Sequence, residues 1–320
     1  MNSSNRLKLF LLAALFLVAI TAALSIGAVD IPFARLFDPQ NRAILLLRLT
    51  RVILGLVAGC GLAVSGISLQ AVLRNPLAEP YLLGTSSGAG LGAVIAILAG
   101  LSGVPLPLAA FVGAFLTMAL VYRLARQGAR VPLQSLILSG VIVSIALSAV
   151  MLFIISVAAK ESLHSELWWL WGSLYVFDIR LLYVVGTLVL AGTGMLFAFY
   201  RELNAISIGE EEAMHLGIET EKLKKAIFFL TSLVTAAVVC VCGTIGFVGL
   251  IIPHAMRMVV GPNHKVLIPV SCVAGGIFLV LCDLLARKLF APMEIPIGVI
   301  TAAIGAPLFI LLLKNKERLK

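Results

Sequence analysis

Charged residues are scarce in this sequence of 320 residues. Asp, Glu, Lys and Arg make up 12% of it, about half the share found in soluble domains. Hydrophobic residues make up 61%, which excludes a soluble globular protein and predicts an all-α, polytopic membrane protein. No polar stretch is long enough to fold separately, so we expect residues 1–320 to form a single transmembrane domain.

The motifs of catalysis and nucleotide binding are also missing. No GxxxxGK[ST] motif occurs, nor even a Gly-Lys pair, so the chain has no P-loop to hold the phosphates of ATP. It also lacks HExxH and the paired Ser/His or Asp/Asp sets that an intramembrane enzyme would need. We therefore predict no catalytic residues and expect that the chain is not an enzyme.

Metal ligands are equally few. The five cysteines lie in apolar runs, and Cys240 and Cys242, two residues apart on a predicted helix, point to different faces. His254 lies beside Pro253, and we expect it to bond backbone groups that the proline frees. The sequence thus predicts structural cysteines, no metal site and no cofactor bound by this chain.

Ten apolar segments predict helices that cross or enter a membrane, at about 20 residues for a full span. Segments 85–100 and 247–260 are too short to cross unaided, so they must be surrounded by protein. The predicted segments are 9–29, 52–73, 85–100, 108–124, 132–157, 181–200, 223–241, 247–260, 266–286 and 297–313.

The basic residues set the predicted orientation. With the N-terminus in the cytoplasm, the cytoplasmic connections and the termini hold twice as many Lys and Arg residues as the outer connections. This asymmetry predicts that both termini lie inside. It also accounts for the net charge of +9 without a nucleic-acid partner.

A polar passage between the second and third segments predicts a cytoplasmic turn that acts as a gate. Pro76 and Pro80 cannot both lie in one unbroken helix. Loose backbone is tolerated only in water or in a protein-lined cavity. The residues of this predicted turn are Arg74, Asn75, Pro76, Leu77, Ala78, Glu79 and Pro80.

The connection from 201 to 225 predicts a short helix. Ser207 and Glu210 have the spacing of a capping box, Glu211 and Glu212 favour the first turn, and Gly217 suits a helix end. A helix of about two turns is unstable alone. Something must pack on it, either a partner or the chain's own bundle.

Three stretches are typical of a known family: 48–92, which includes RNPLAEPYLLG; 243–257, GTIGFVGLIIPHAMR; and 294–307, EIPIGVITAAIGAP. Over most of residues 45–315 the sequence resembles the permease subunits of ATP-driven importers for ferric siderophores, haem and cobalamin. The resemblance implies a homodimer in the cytoplasmic (inner) membrane of a bacterium or archaeon, in contact with membrane lipid. It also implies a pathway for the metal chelate on the dimer axis, lined by the second, fifth and tenth helices.

The resemblance also implies partners. Two nucleotide-binding ATPase subunits would bind ATP and Mg²⁺, and a periplasmic or lipid-anchored binding protein would deliver the substrate. The predicted ATPase-coupling residues are Glu212, Ala213, Met214, His215, Leu216 and Gly217, and the predicted docking residues for the binding protein are Arg48, Arg51 and Arg287.

Other interpretations stay open at this point. Asp283 and Arg287 have the spacing of an ion pair within a helix, in which case Arg48 and Arg51 would reach lipid headgroups. The tryptophans of segment 165–174 suit an interfacial belt. An ion-coupled secondary transporter would need an intramembrane acid, and Asp283 is the one candidate in the sequence.

Overall fold

The computed structural model of the chain describes residues 3–128, 130–158, 168–176 and 178–317. Within these ranges the chain forms α-helices and short 3₁₀ turns at Phe33–Arg35, Pro39–Asn41 and Pro80–Leu83, and no strand beyond an isolated bridge. Lys160, Arg318 and Lys320, which entered the charge comparison, lie outside the described residues. The α-helices are α1 Ser3–Ser25, α2 Arg42–Val72, α3 Thr85–Leu98, α4 Pro105–Ala125, α5 Leu133–Val157, α6 Ile179–Ala198, α7 Tyr200–Ile208, α8 Glu210–His215, α9 Thr220–Cys242, α10 Val248–Val260, α11 His264–Lys288 and α12 Ile297–Glu317.

The helices confirm the expected polytopic membrane fold. The ten predicted segments correspond to α1–α6 and α9–α12, and α7 and α8 form the connection between them. Among the residues that the structure describes, six helical segments are long and apolar enough to cross a membrane by themselves. Helices α3 and α10 are short, with 14 and 13 residues, as the sequence predicts.

Helix α2 begins ten residues earlier than predicted, at Arg42 instead of residue 52. The prediction stopped at Arg48 and Arg51 because charges interrupt the apolar run. In the structure both arginines lie on the helix, and Arg48 is buried. A helix can carry such residues when the protein supplies partners for their charges.

Helix α2 is the centre of the bundle. Most of its length is buried, and it packs against α6, α9, α10 and α11. Its glycines allow this approach, as the small-residue spacing predicts: a methyl group at Gly59 would collide with the carbonyl of Gly275 in α11, and one at Gly66 with the carbonyl of Gly249 in α10. A disulfide joins Cys60 and Cys272 across the same contact between α2 and α11.

The two ends of the bundle collect different elements. At one end Lys8 near the start of α1 donates a hydrogen bond of 2.6 Å to the carbonyl of Val259, and the backbone N–H of His264 donates to Asn204 of α7 at 2.9 Å. At the opposite end lie the start of α2 and the end of α11, with Lys288 bonded to Asp30 at 2.6 Å. Residues predicted to be cytoplasmic and residues predicted to be outside thus occupy opposite ends.

The contact between α2 and α11 can be tested with one added methyl group. We expect Gly59→Ala to lower the stability of the detergent-solubilised protein by about 1–3 kcal/mol, because the new methyl overpacks the Gly275 carbonyl. The matched control is Gly194→Ala on α6, where the added methyl meets open space and alanine favours the helix. Equal melting temperatures for the two variants would show that α2 and α11 can move apart without a loss of stability.

Candidate functional site

The predicted turn is present between α2 and α3. Arg74 leaves α2 with φ +46°, and Gly84 precedes α3 with φ +75°. Asn75 holds the bend, because its side-chain oxygen accepts a 2.9 Å hydrogen bond from the N–H of Leu77. Such a side-chain turn is typical of Asn.

The far side of this turn docks onto the non-helical backbone that precedes α10. The carboxylate of Glu79 accepts a 2.7 Å hydrogen bond from the N–H of Phe247, which has φ +71°. The hydroxyl of Tyr81 bonds both backbone groups of Ile245, at 3.0 and 3.1 Å. Side chains of the turn therefore satisfy backbone groups that an unbroken helix would have paired.

Helix α8 is the short helix predicted in the connection between α6 and α9. The predicted capping box is wrong: Ser207 still belongs to α7 and donates to the carbonyl of Asn204 at 2.7 Å. An extended Gly209 precedes α8 instead, without a side-chain cap. The predicted end is confirmed, since Gly217 has φ +80° and the N–H groups of Gly217 and Ile218 bond the carbonyls of Met214 and Ala213, which is a Schellman motif.

Three large apolar side chains on and beside α8 face solvent. Ile208, Met214 and Leu216 are 74%, 52% and 71% exposed, and we call them the cytoplasmic patch. Ala213, predicted to belong to the contact surface, is fully buried against the chain's own bundle. Ile208, the first residue of the helix predicted from the capping box, was not among the predicted coupling residues 212–217.

A buried lysine fixes α8 to the bundle. Lys224 of α9 bonds Glu210, the first residue of α8, at 2.8 Å and also pairs with Glu221. Glu221 accepts a 3.1 Å hydrogen bond from the N–H of Val131, in the connection before α5. Burial opposes the ionisation of Glu210, but its hydrogen bond to Lys224 prevails and lowers the pKa of Glu210.

The turn and α8 meet at one cavity of about 740 Å³ on this end of the bundle. Residues that the sequence assigned to two separate sites, Arg74 and Glu212, both line it. The positive charge of Arg74 also contributes to lowering the pKa of Glu210. A displacement of α8 would therefore change the electrostatic environment of Arg74, the first residue of the turn.

The three arginines predicted to dock a binding protein converge at the opposite end. Arg48 donates to the carbonyls of Leu24 and Ser25 at 2.7 and 3.0 Å and also to that of Val29. Arg287 donates to the carbonyl of Ala23 at 3.1 Å. Positive charge at these carbonyls complements the negative end of the α1 dipole.

Asp283 binds two of these arginines. It lies 2.8 Å from Arg51 and 2.9 Å from Arg287, which confirms the ion pair within α11. Arg51 also contacts Glu294 at 2.9 Å. Since Arg48 and Arg287 are buried, a docking role would require them to leave these partners, and it stays a prediction.

The tryptophan segment has a backbone role that the sequence did not indicate. The carbonyls of Trp171 and Gly172 accept hydrogen bonds from the N–H groups of Gly298 and Ile297 at 3.0 and 3.1 Å, and the N–H of Ser173 donates to Cys242 at 2.8 Å. This segment therefore joins the end of α9 to the start of α12. Its residues 165–167 lie outside the described ranges.

The backbone carbonyl that Pro253 frees in α10 is bonded by Gln70, a residue that the sequence did not indicate. Proline has no N–H, so it leaves the carbonyl of Gly249 without its helical donor. Gln70 of α2 donates to that carbonyl at 3.3 Å. The ring of His254 lies edge-on to Phe309 with ring centroids 6.4 Å apart, and its expected bond to freed backbone groups stays a prediction.

Comparison with known proteins decides the family. The model of the FecCD transport family matches residues 15–315. The chain belongs to the FecCD transport family. It is 43% identical over 272 residues to the cobalamin import system permease protein BtuC of Halobacterium salinarum, covering 85% of this chain and 73% of that protein. It is 35% identical to the hemin transport system permease protein HmuU of Yersinia pestis, covering 97% and 96%.

A solved structure of an inward-facing, metal-chelate type ABC transporter is similar throughout. Its TM-score is 0.87, with 35% identity and coverage of 98% of this chain and 99% of that chain. The resemblance inferred from 48–92, 243–257 and 294–307 is confirmed. This FecCD chain is a multi-pass permease of an ABC importer in the cytoplasmic membrane of a bacterium or archaeon, and its family is one of transport subunits and not of enzymes.

The buried charges of the outer end should matter for stability. We expect Asp283→Asn to destabilise the protein by about 3–5 kcal/mol, because it leaves the buried guanidinium group of Arg287 without its counter-ion, whereas Arg51 keeps Glu294. Thermal unfolding in detergent measures this, with Asp30→Asn as the control, since the Asp30–Lys288 pair is largely exposed and such pairs contribute little. A loss of stability no larger in Asp283→Asn than in the control would mean that the backbone carbonyls of α1 alone suffice to hold Arg287.

The attachment of α8 should depend on pH. The folded pKa of Glu210 is below its ordinary value of 4.5, so the ionised carboxylate stabilises the attachment above pH 4.5. That stabilisation is lost as the pH falls through the folded pKa.

Glu210→Gln imitates this loss at neutral pH. After correction for the intrinsic pH dependence of amide exchange, we expect residues 210–217 to be less protected in Glu210→Gln at pH 7, and in the wild type only below pH 4.5. Glu211→Gln is the matched control because Glu211 faces solvent. Equal exchange in the two variants at pH 7 would rule out the Lys224 anchor.

Proposed function

We propose that this FecCD permease forms a homodimeric pathway that carries a metal chelate, such as a ferric siderophore, haem or cobalamin, into the cytoplasm. Two separate nucleotide-binding subunits bind ATP and Mg²⁺ and drive transport, and a substrate-binding protein docks at the outer end. The permease itself holds no cofactor. The observation that carries this proposal is the cytoplasmic patch, presented on a short helix that the bundle holds in place.

The cytoplasmic patch has the character of a docking surface. Its three apolar side chains lie among charged, exposed residues such as Glu211 and Glu219, a setting of water and not of lipid. Exposed apolar groups rimmed by charge are typical of contact sites for another protein. A helix as short as α8 is unstable by itself, and Lys224 presets its position before a partner arrives.

The exposed surface of α5 supports the homodimer. Along its 25 residues only Leu136, Gly140 and Val143 are buried within the chain, so most of this apolar helix is available to lipid or to a second copy.

The names of the permease's relatives support the proposed substrate class, since one imports cobalamin and another hemin. The structural neighbour is of the metal-chelate type.

Ion-coupled transport is the alternative, and the surroundings of Asp283 argue against it. A coupling carboxylate must be able to take up and release an ion or a proton. Asp283 is buried between Arg51 and Arg287 at 2.8 and 2.9 Å. Both of its carboxylate oxygens are therefore already bonded to a guanidinium group, which leaves none free for a coupling ion.

The cytoplasmic patch can be tested with a single charge. We expect Leu216→Asp to insert and fold normally, because the side chain is 71% exposed, and yet to lose the ATPase subunit. A carboxylate that becomes buried at an apolar contact costs several kcal/mol. Co-purification of the two subunits from membranes in detergent measures the outcome.

Lys265→Glu provides the control for added negative charge at the same end. Lys265 is exposed at the start of α11, where an acidic residue suits the helix dipole. It should retain the ATPase subunit. Full retention of the ATPase by Leu216→Asp would sink the assignment of α8 as the coupling helix.

A further inference from the structure

Three parts of the bundle meet at Gln70, near the cytoplasmic end of α2. Its side-chain NH₂ donates to the carbonyl of Ala78 in the turn and to the carbonyl of Gly249 in α10, both at 3.3 Å. Its side-chain oxygen accepts a hydrogen bond of 3.2 Å from Arg257, also of α10. The residue is only 4% exposed. One amide thus connects α2, the turn and α10.

The chemistry of this position calls for an amide. Two donors are needed on one side and an acceptor on the other, which Gln supplies from a single planar group. A carboxylate would present only acceptors to the two carbonyls, and an apolar side chain would leave all three partners without this bond. Backbone polar groups left unbonded within a membrane are costly.

The surrounding contacts make the joint close-fitting. Gly66 of α2 faces the carbonyl of Gly249 so closely that a methyl group would collide with it, and a methyl group at Gly249 would collide with Pro80 of the turn. Glu79 adds its 2.7 Å bond to Phe247. The turn and the start of α10 are therefore held together on both sides of Pro80.

The joint is connected to the proposed ATPase surface. Arg74, the first residue of the turn, lines the same cavity as Glu210 and Met214 of α8. Resting on the proposed function, we infer that Gln70 is a positioning residue of the inner gate: it makes the turn and α10 move as one unit when the ATPase moves α8.

Pro253 offers an internal test of this role. In Pro253→Ala the restored N–H can donate to the Gly249 carbonyl within α10, so one of the two bonds made by the NH₂ group of Gln70 becomes dispensable. We expect Gln70→Leu alone to uncouple transport from hydrolysis and the double variant to recover part of the coupling. Such non-additivity is the sign of a direct interaction.

The first measurement uses the complete complex in liposomes, with cyanocobalamin and haemin as the two transport probes. In Gln70→Leu we expect uptake per ATP hydrolysed to fall about tenfold while ATP turnover is retained. Ser68→Ala is the matched control, because Ser68 is also buried on α2 but bonds only the carbonyl of Val64 in its own helix. An unchanged ratio of uptake to hydrolysis in Gln70→Leu would overturn the inference.

The second measurement needs neither substrate nor activity. Hydrogen exchange of residues 76–84 and 247–252 is compared in the permease with and without bound ATPase. We expect both segments to exchange faster in Gln70→Leu, with recovery at 247–252 when Pro253→Ala is added. Equal protection in wild type and Gln70→Leu would also overturn the inference, whereas absence of ATP-driven uptake in the wild type would instead count against the proposed function.

Discussion

The hydrocarbon core of a membrane offers no hydrogen bonds, so every backbone group freed by a break in this bundle must be bonded by the protein itself. The breaks around α10 show how this is done. Gln70 replaces the donor that Pro253 lacks, and Glu79 and Tyr81 bond the non-helical backbone before the helix. The residues that repair the backbone are thus the residues that join separate elements. The same hydrogen bonds therefore satisfy the freed backbone groups and connect helices that are distant in sequence.

The two ends of the bundle solve this problem with bonds of different strength. At the outer end the guanidinium groups of Arg48 and Arg287 bind the last carbonyls of α1, and Asp283 pairs with Arg287. At the inner joint the amide of Gln70 makes longer bonds to neutral carbonyls. Charge-assisted bonds are about twice as strong as neutral ones. The two bonds from Gln70 to the carbonyls of Ala78 and Gly249 are therefore easier to exchange than the bonds of the outer arginines.

The sequence was sufficient for the fold and for the family, because apolar length, proline breaks and small-residue spacing are local signals. It placed the turn at 74–80 and the end of α8 at Gly217 correctly for the same reason. It failed where the deciding partner is distant in sequence. Arg48 and Arg51 looked like surface charges because their partners, the carbonyls of α1 and Asp283, are 23 to 232 residues away.

Gln70 was overlooked for a related reason: a lone glutamine in an apolar run carries no spacing signal. Its role depends on Pro253, 183 positions later, and on the close approach of Gly66 to Gly249. Neither contact can be recognised from the sequence around position 70. The capping box failed on a smaller scale, since Ser207 has the right spacing but α7 continues through it. Spacing rules assume an independent helix start, and here two helices follow one another with only Gly209 between them.

Helix α10 brings these observations together. It has 13 residues, about 20 Å at 1.5 Å per residue, too short to cross a membrane alone. Its first turn is bound by Gln70 and its last turn by Lys8 of α1, while Arg257 runs back from the last turn to the same Gln70. Both ends are therefore fixed to neighbours, and the helix can move only with them. Because Gly249 already touches α2 and Pro80, a displacement of α10 displaces the turn as well, and this is the connection on which the inferred role of Gln70 rests.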